Sequence, residues 1–281
     1  MVMSTLPQPT LRQTASGPSS GPLDSAVRDL AEGFRAFPTA AALAYADLRA
    51  LYARTILGPA WSGFSNAIWI AALAVTFGTI FASPIATYLP YLTAGLALWS
   101  FLSGVITGGP TLLLRNSHLI GVYDLPFSTH AFRSVMLAFY MLAQFLVIYL
   151  VVAFACRTPL TPACLMIAPA LLLYAVFAVG LSLALGFAGV WHRDLAPMVN
   201  SAMTLGFLVT PIFWRSSLVS RHPEITAWNP IYHLLTIGRD ALLSRPPDPG
   251  AWTVSLLLAL GSAALGVFAL ATGARSVRFR L

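Results

Sequence analysis

The histidine and aspartate residues are the side chains of this sequence that could do acid–base or group-transfer chemistry. His118, Asp124 and His130 occur in one polar segment, and His192 and Asp194 occur in another. Acids and histidines clustered at one membrane face are what an embedded lipid-modifying transferase would need. The pair His192 and Asp194 lacks a further titratable neighbour in the sequence. An embedded enzyme is therefore kept as one alternative.

ATP-driven chemistry within this chain is excluded in its commonest form. The sixteen basic residues are all arginine, and the chain contains no lysine. A P-loop needs the lysine of G-x-x-x-x-G-K-[ST] to reach the nucleotide phosphates. If ATP powers this protein, the nucleotide and its Mg²⁺ must bind to another chain, and no cofactor is expected on this one.

The two cysteines, Cys156 and Cys164, show no metal-site spacing. They bracket a short turn between two apolar segments, which could bring them level. A disulfide would form there in an oxidising compartment, whereas free cysteines are also common in apolar segments. The sequence leaves both alternatives open.

The composition predicts an integral membrane protein. The chain has 281 residues, of which 58% are hydrophobic and only 9% are charged, against about 25% charged residues in soluble domains. No charged residue occurs between Arg54 and Arg115, a gap that accommodates two spans of roughly 20 residues. The long continuous apolar runs favour helices, since barrel strands alternate with period two.

The apolar runs predict an all-α protein with six spans. Residues 1–40 are expected to form a disordered cytoplasmic tail and residues 41–281 the membrane domain, with no signal peptide. The predicted spans cover about 62–82, 89–112, 134–155, 163–189, 198–214 and 252–272.

The arginines predict the orientation of these spans. Eleven of them fall on the side of both termini and five on the other side. Because positive residues concentrate on the cytoplasmic side, both termini are expected there. The net charge of +7 then reflects topology rather than affinity for nucleic acid.

Residues 46–57 predict an amphipathic helix on the membrane surface. Apolar residues including Tyr52 share one face, while Asp47, Arg49 and Arg54 fall on the flanks and the far side. Gly58-Pro59 would end this helix before the first span. The alternative is a charged flank that only sets topology.

Two further polar segments are candidate interaction sites. Segment 115–131 contains an apolar cluster that includes Leu119 and Ile120, followed by Pro126, and suits either docking of a soluble partner or an ordinary loop. Segment 215–251 predicts a helix over about 230–244, with Asn229 as N-cap and Pro230 at the first position. That helix either closes a surface loop or dips into the membrane beside a pathway.

The predicted spans offer aromatic rather than ionisable side chains. Ion-coupled carriers usually place charged residues within the bilayer. Aromatic faces can stack on sugar rings, so an uncharged aromatic channel would suit a sliding glycan; the same rings could instead face lipid. The candidate channel aromatics are Trp69, Phe77, Tyr91, Trp99 and Phe101.

Five motifs occur in an order that resembles the permease subunits of ABC exporters for capsular polysaccharide, O-antigen and teichoic acid. The motifs are ADLRALYARTILGPAW, NSHLIGVYDLP, VWHRDLAPMV, TPIFW and WNPIYHLLTIGRDALL. They spread over about residues 45–245. One departure is Ala131, where the family usually has proline, so the end of the loop 115–131 is in doubt.

The resemblance implies an inner-membrane homodimer that binds two copies of a cytoplasmic ATPase and exports a lipid-linked polysaccharide, with possible periplasmic partners. Residues 46–57 would be the interface helix, and 115–126 the coupling helix that docks on the ATPase. Its site residues would be Arg115, Asn116, Leu119, Ile120, Asp124 and Pro126. Outer gate helices would lie between spans five and six and include Trp214, Asn229, Pro230, His233, Arg239 and Asp240. A small lipid or drug-like cargo is the alternative within this transporter class.

Overall fold

The protein is all-helical across the residues that its structure describes. The structure, a computed structural model, describes residues 21–53, 58–122, 125–159, 161–219, 221–277 and 280. Within these ranges the helices are α1 (Pro22–Arg35), α2 (Phe37–Tyr52), α3 (Pro59–Ile80), α4 (Ile85–Gly108), α5 (Leu112–Arg115), α6 (Ser117–Val122), α7 (Phe127–Ala155), α8 (Ile167–Trp191), α9 (Leu195–Val209), α10 (Glu224–Ala227), α11 (Pro230–Leu242) and α12 (Pro249–Val277).

Five helical stretches are long and apolar enough to cross a membrane. They are Trp61–Ile80, Ile85–Arg115, Phe127–Ala155, Pro162–Trp191 and Pro249–Ala274. Each corresponds to one of the predicted spans. The chain is therefore a multi-pass membrane protein, and α4 is the most deeply buried of its long helices.

The predicted fifth span is shorter in the structure. A span over 198–214 was expected, but α9 ends at Val209 after 15 residues, which is about 22 Å of helix against a hydrocarbon core of roughly 30 Å. Thr210 is extended, with φ −81° and ψ 134°, because the proline at 211 disfavours the helical conformation of the residue before it. The predicted fifth span is therefore helical only as far as Val209, and the arrangement of six spanning helices is not confirmed.

The predicted tail is also wrong in its described part, because residues from Pro22 onward form α1 and α2. The helix α1 is anchored by Asp29, whose carboxylate accepts hydrogen bonds from the backbone N–H groups of Phe127 and Ser128, each at 2.9 Å. Ser128 Oγ returns a bond of 2.7 Å to the Asp29 carbonyl. A tertiary contact at the start of α7 therefore orders α1.

The predicted interface helix corresponds to the second half of α2. It begins at Phe37 instead of residue 46 and ends at Tyr52, and residues 54–57, including Arg54, lie outside the described residues. Gly58 adopts a positive φ of 54°, and α3 starts directly after it at Pro59. The predicted break between this helix and the first span is confirmed.

The helix α2 packs lengthwise against the first half of α7. Asp47 forms an ion pair with Arg133, and Gln144 Nε2, three turns further along, donates 3.0 Å to the hydroxyl of Tyr52. Polar groups of α2 are thus satisfied by α7 and not only by solvent.

The predicted loop 115–131 is shorter in the structure. It contains α5 and α6, and α7 already begins at Phe127, with Pro126 as its N-cap residue. Ala131 therefore lies within α7. The prediction that the loop extends to residue 131 is wrong. Proline at the N-cap position suits this boundary, because it supplies no N–H that would need a partner.

The helices α8 and α12 cross at glycines. A Cβ on Gly180 would lie 2.4 Å from the backbone oxygen of Ser262, and one on Gly266 would lie 2.7 Å from the backbone oxygen of Gly180. Small residues of this kind let two membrane helices approach closely. This crossing holds α12 against the rest of the bundle.

The two ends of the bundle are named here after the helices they hold. The α2 end carries α1, α2, α5, α6 and the beginning of α7. The α11 end carries α10, α11 and the bend at residues 210–214. Cys156 and Cys164 lie at the α11 end as half-buried free thiols, so the disulfide alternative is not realised.

Candidate functional site

A groove between α4 and α9 is the candidate functional site. Residues of α4 at spacings of three and four, from Tyr88 and Tyr91 through Trp99 to Thr107, share one face. The facing residues of α9 complete a groove of about 440 Å³. The groove, called the α4–α9 groove below, is lined by Trp99, Ser103, Thr107, Asn200, Met203, Thr204, Phe207 and Leu208.

An aromatic row runs from this groove toward the α11 end. Trp99 meets Phe207 edge-on with 5.6 Å between ring centroids. Phe207 lies 5.7 Å from Phe213, and Phe213 lies 4.7 Å from Phe77. Three helices and the bend therefore place four rings in a continuous series, and two of them, Trp99 and Phe207, line the groove.

The polar side chains of the groove present hydrogen-bond acceptors. Thr107 Oγ1 donates to the Ser103 carbonyl at 2.8 Å, and Thr204 Oγ1 donates to the Asn200 carbonyl at 3.0 Å. Because a hydroxyl has one hydrogen and two lone pairs, these oxygens can still accept. Asn200 adds an exposed amide. The lining contains no ionisable side chain, so the groove suits a neutral, hydroxyl-rich ligand.

The bend at residues 210–214 is tied to α4 by two tyrosines. Tyr88 donates its hydroxyl to the Phe213 carbonyl at 2.5 Å, and Tyr91 donates to the Trp214 carbonyl at 2.9 Å. Both tyrosines are buried. They fix an irregular backbone stretch whose carbonyls α9 can no longer satisfy.

Arg239 of α11 closes this cluster from the other side. Its Nη1 donates to the Pro211 carbonyl at 2.7 Å and to the Tyr91 hydroxyl at 2.8 Å. Its guanidinium carbon lies 4.2 Å from the centroid of the Tyr91 ring. Burial lowers the pKa of Arg239, and the hydroxyl of Tyr91 opposes that effect. Arginine still remains protonated, so a positive charge is held at the α11 end of the aromatic row.

Asn229 links α11 to the same bend. Its Oδ1 accepts from the backbone N–H groups of Ile231 and Tyr232 at 3.0 and 3.2 Å, which confirms the predicted cap. Its Nδ2 donates to Thr210 Oγ1 at 2.9 Å. One side chain thus sets both the start of α11 and the position of the bend.

The predicted outer gate residues are only partly brought together. Asn229 and Arg239 contact the bend, which includes Trp214, whose indole N–H donates to the Leu208 carbonyl at 3.1 Å. Pro230 begins α11. His233 instead pairs locally through Nε2 with the Ala227 carbonyl. Burial raises the pKa of the Asp240 carboxyl, and the nearby charges of Arg245 and Arg239 partly offset this increase.

The predicted channel aromatics separate into three groups. Trp99 lines the α4–α9 groove, while Tyr91 and Phe77 lie at its α11 end. Phe101 is a correction: it is buried in the core between Phe139 and Tyr174, because two residues along a helix turn a side chain to the opposite face. Trp69 is 58% exposed on α3 and does not reach the groove lining.

Four polar groove residues were not predicted from the sequence. Helical spacing could have identified them. Ser103 and Thr107 lie on the same face of α4 as Trp99, and Asn200 and Thr204 lie on the same face of α9 as Phe207. These four residues are Ser103, Thr107, Asn200 and Thr204.

At the α2 end, an ion-pair network gathers several predicted residues. Arg133 donates to both carboxylate oxygens of Asp47 at 2.6 Å and to Asn116 Oδ1 at 3.1 Å. Arg49, two residues further along α2, is exposed. The network joins α2, the segment after α5 and α7 into one unit.

The predicted apolar cluster of the coupling segment is half-buried. Ile120 packs against a cluster that includes Leu112 and Phe127, and Leu119 is also half-buried. The exposed knob that was expected is therefore turned partly inward. Asp124 lies outside the described residues.

The groups considered for enzyme chemistry are only partly brought together. His118 and His130 line one pocket at the α2 end, whereas His192 and Asp194 are exposed at the turn between α8 and α9. No group of three or more histidine, cysteine, aspartate or glutamate side chains could hold a metal ion within the described ranges.

Comparison with known proteins gives one informative similarity. No family model matches the chain. The chain is 23% identical over 205 residues to the O-antigen export system permease protein RfbA of Klebsiella pneumoniae, an alignment that covers 70% of this chain and 77% of that protein. This similarity confirms the resemblance that the motifs predicted, to the permease subunits of polysaccharide-exporting ABC transporters.

Proposed function

We propose that this chain is the membrane subunit of an ABC transporter that exports a lipid-linked polysaccharide across the inner membrane. The observation that carries the proposal is the α4–α9 groove in a chain similar to an O-antigen export permease. Both termini would then be cytoplasmic, with the α2 end inside and the α11 end outside. The motor would be a separate ATPase, which holds ATP and Mg²⁺.

The chemistry of the groove supports a glycan as cargo. Trp99 and Phe207 offer ring faces and edges, and the hydroxyls of Thr107 and Thr204 offer acceptors to sugar hydroxyls. Aromatic and neutral polar contacts are individually weak. A polymer can therefore slide past them without being trapped by a charge.

The groove supports a homodimer, because it lies open on one side of the chain. Leu208 and Thr204 at its edge are exposed, as are Leu205 and Val209 nearby. A second copy placed by a two-fold axis would present the same face and close a channel between the chains. Two copies would also offer two coupling segments to two ATPase subunits.

The α2 end supports a coupling role. The network of Asp47, Asn116 and Arg133 links α2 to the coupling segment and to the long helix α7. A displacement of segment 115–126 by the ATPase would therefore be transmitted directly to the membrane-spanning helix α7. Contact of Arg115, Leu119 and Ile120 with the ATPase remains a prediction.

The deciding experiment is co-expression of the chain with an ABC ATPase of its own organism, followed by mass determination and transport. A complex of two permease and two ATPase chains should form, and proteoliposomes should translocate lipid-linked glycan on ATP addition, read by a lectin on the far side. The chain alone should hydrolyse no ATP. Strong hydrolysis by the chain alone, or transport of small lipids without glycan, would contradict the proposal.

A further inference from the structure

A second pocket lies at the α2 end, and its lining shares no residue with the α4–α9 groove. Residues of α2, α5 and α7 surround about 420 Å³. Leu51, Leu112 and Leu137 form an apolar wall. The polar wall is formed by Asp47, Arg115, Asn116, His118, His130 and Arg133.

The polar wall carries positive charge in excess. The one acid, Asp47, is neutralised by Arg133, which grips both of its oxygens at 2.6 Å. Arg115 is exposed and forms no ion pair with any residue that the structure describes. The pocket therefore presents a guanidinium that no described carboxylate pairs with, and His118 is a further donor in the same lining.

A buried group without a partner marks the floor of the pocket. His130 is 1% exposed, and neither Nδ1 nor Nε2 meets a hydrogen-bond partner among the described residues. A histidine always carries at least one N–H donor, and buried polar groups are almost always bonded. An acceptor from beyond the described residues, such as a bound anion, would satisfy it.

We propose that this pocket binds the phosphate of an anionic amphiphile. Arg115, His118 and His130 supply donors to phosphate oxygens, and guanidinium groups suit phosphate geometry. The leucine wall matches the apolar part of the same molecule. The pocket lies where the apolar stretch of α7 begins, so in the proposed topology it would lie near the level of the lipid phosphates. The shared chemistry is a phosphate ester, from a bilayer lipid or as free phosphate.

The test is native mass spectrometry of the purified full chain loaded with dioleoylphosphatidylglycerol. One tightly held lipid is expected, and Arg115→Gln should weaken its binding by about tenfold, since one charge-assisted bond is worth about that factor. Arg115→Lys keeps the charge and should retain most of the binding. Arg28→Gln, an exposed arginine at the same end, is the matched control and should bind like wild type.

Two competing ligands show which part of the lipid the pocket recognises. If millimolar inorganic phosphate displaces the lipid, the pocket recognises the head group alone. If it does not, the pocket recognises the whole lipid. Both results agree with a phosphate site. Displacement by dioleoylglycerol, which lacks phosphate, would overturn the proposal, as would unchanged binding in Arg115→Gln. Unchanged lipid binding with loss of ATPase co-purification would instead assign the pocket to a carboxylate of the partner. The lipid assay uses the chain alone, so its failure would leave the proposed transport untouched.

Discussion

Arg239 shows how one residue can organise an irregular part of a membrane protein. A Cβ on Gly95 would lie 2.4 Å from Arg239 Nη2, so the glycine of α4 makes room for the guanidinium. Nη1 makes two hydrogen bonds, while Nε and Nη2 have no partner among the described residues. A buried cation is costly unless its bonds return that cost. The two bonds at Nη1 and the contact with the face of the Tyr91 ring therefore hold Arg239 in this position.

Replacing Arg239 with lysine should destabilise the α11 end while keeping the charge. Lysine has no planar guanidinium to stack on the Tyr91 ring, and its shorter side chain does not place the ammonium where Nη1 lies. The bonds to the Pro211 carbonyl and the Tyr91 hydroxyl should therefore be lost, and charge-assisted bonds correspond to about 1.5–3 kcal/mol. Thermal unfolding in detergent should show a lower midpoint. Arg221→Lys, at an exposed position, is the control and should unfold with the wild type. Equal unfolding midpoints for both variants would show that Arg239 does not stabilise the α11 end.

Replacing Thr204 with valine should impair glycan transport without a change of shape. The variant removes an acceptor of the groove, and a neutral hydrogen bond worth about 0.5–1.5 kcal/mol corresponds to a rise of roughly two- to tenfold in the KM for glycan. Thr272→Val is the matched control, because Thr272 Oγ1 also donates to a carbonyl four residues earlier but lies on α12, outside the groove. Transport in proteoliposomes measures both. The same KM in the two variants would contradict the assignment of the groove.

Among the elements, the pair α8 and α12 is sensitive to side-chain volume at one point. Gly180→Ala should cost about 1–3 kcal/mol, the usual penalty for overpacking a close contact, because the new Cβ would meet backbone of α12 that cannot rotate away. Gly261→Ala is the control on α12, where a Cβ would meet nothing within 4 Å. Thermal unfolding should separate the two variants. A Gly180→Ala protein as stable as the control would show that α8 and α12 do not approach this closely.

The elements also show which features could be predicted from the sequence. The cap at Asn229 and the break at Gly58 were predictable, because capping and turn chemistry are local. The contact between Tyr91 and Arg239 was not, since 148 residues separate them. The helix α1 was missed because Asp29 is held by α7, a tertiary contact that composition does not report. The early end of α9 could have been read from Pro211, but the apolar residues that follow masked it.

Across the whole molecule, the two ends differ in chemistry. The α2 end holds paired charges and a cationic pocket, whereas the α11 end holds a buried cation among tyrosines and backbone carbonyls. The α4–α9 groove runs between them without an ionisable side chain. Under the two proposals, this arrangement would separate a site for a charged head group from a path for a neutral polymer. The groove is open on one side, so a closed path would need a second wall.

A second copy of the chain is expected to supply that wall. In a Cys156→Ser, Cys164→Ser background, Leu208→Cys at the groove edge should give a cross-linked dimer with a short bismaleimide, since a residue near a two-fold axis faces its own copy. Leu208 is 58% exposed. Leu150→Cys is the matched control: it is 63% exposed but lies on α7, which packs against α2, α4 and α8. Gel mobility after cross-linking in native membranes should show dimer for Leu208→Cys and monomer for Leu150→Cys. Equal cross-linking at both positions would indicate random collision, and dimer at Leu150 alone would place the interface on α7 and leave the groove open to lipid.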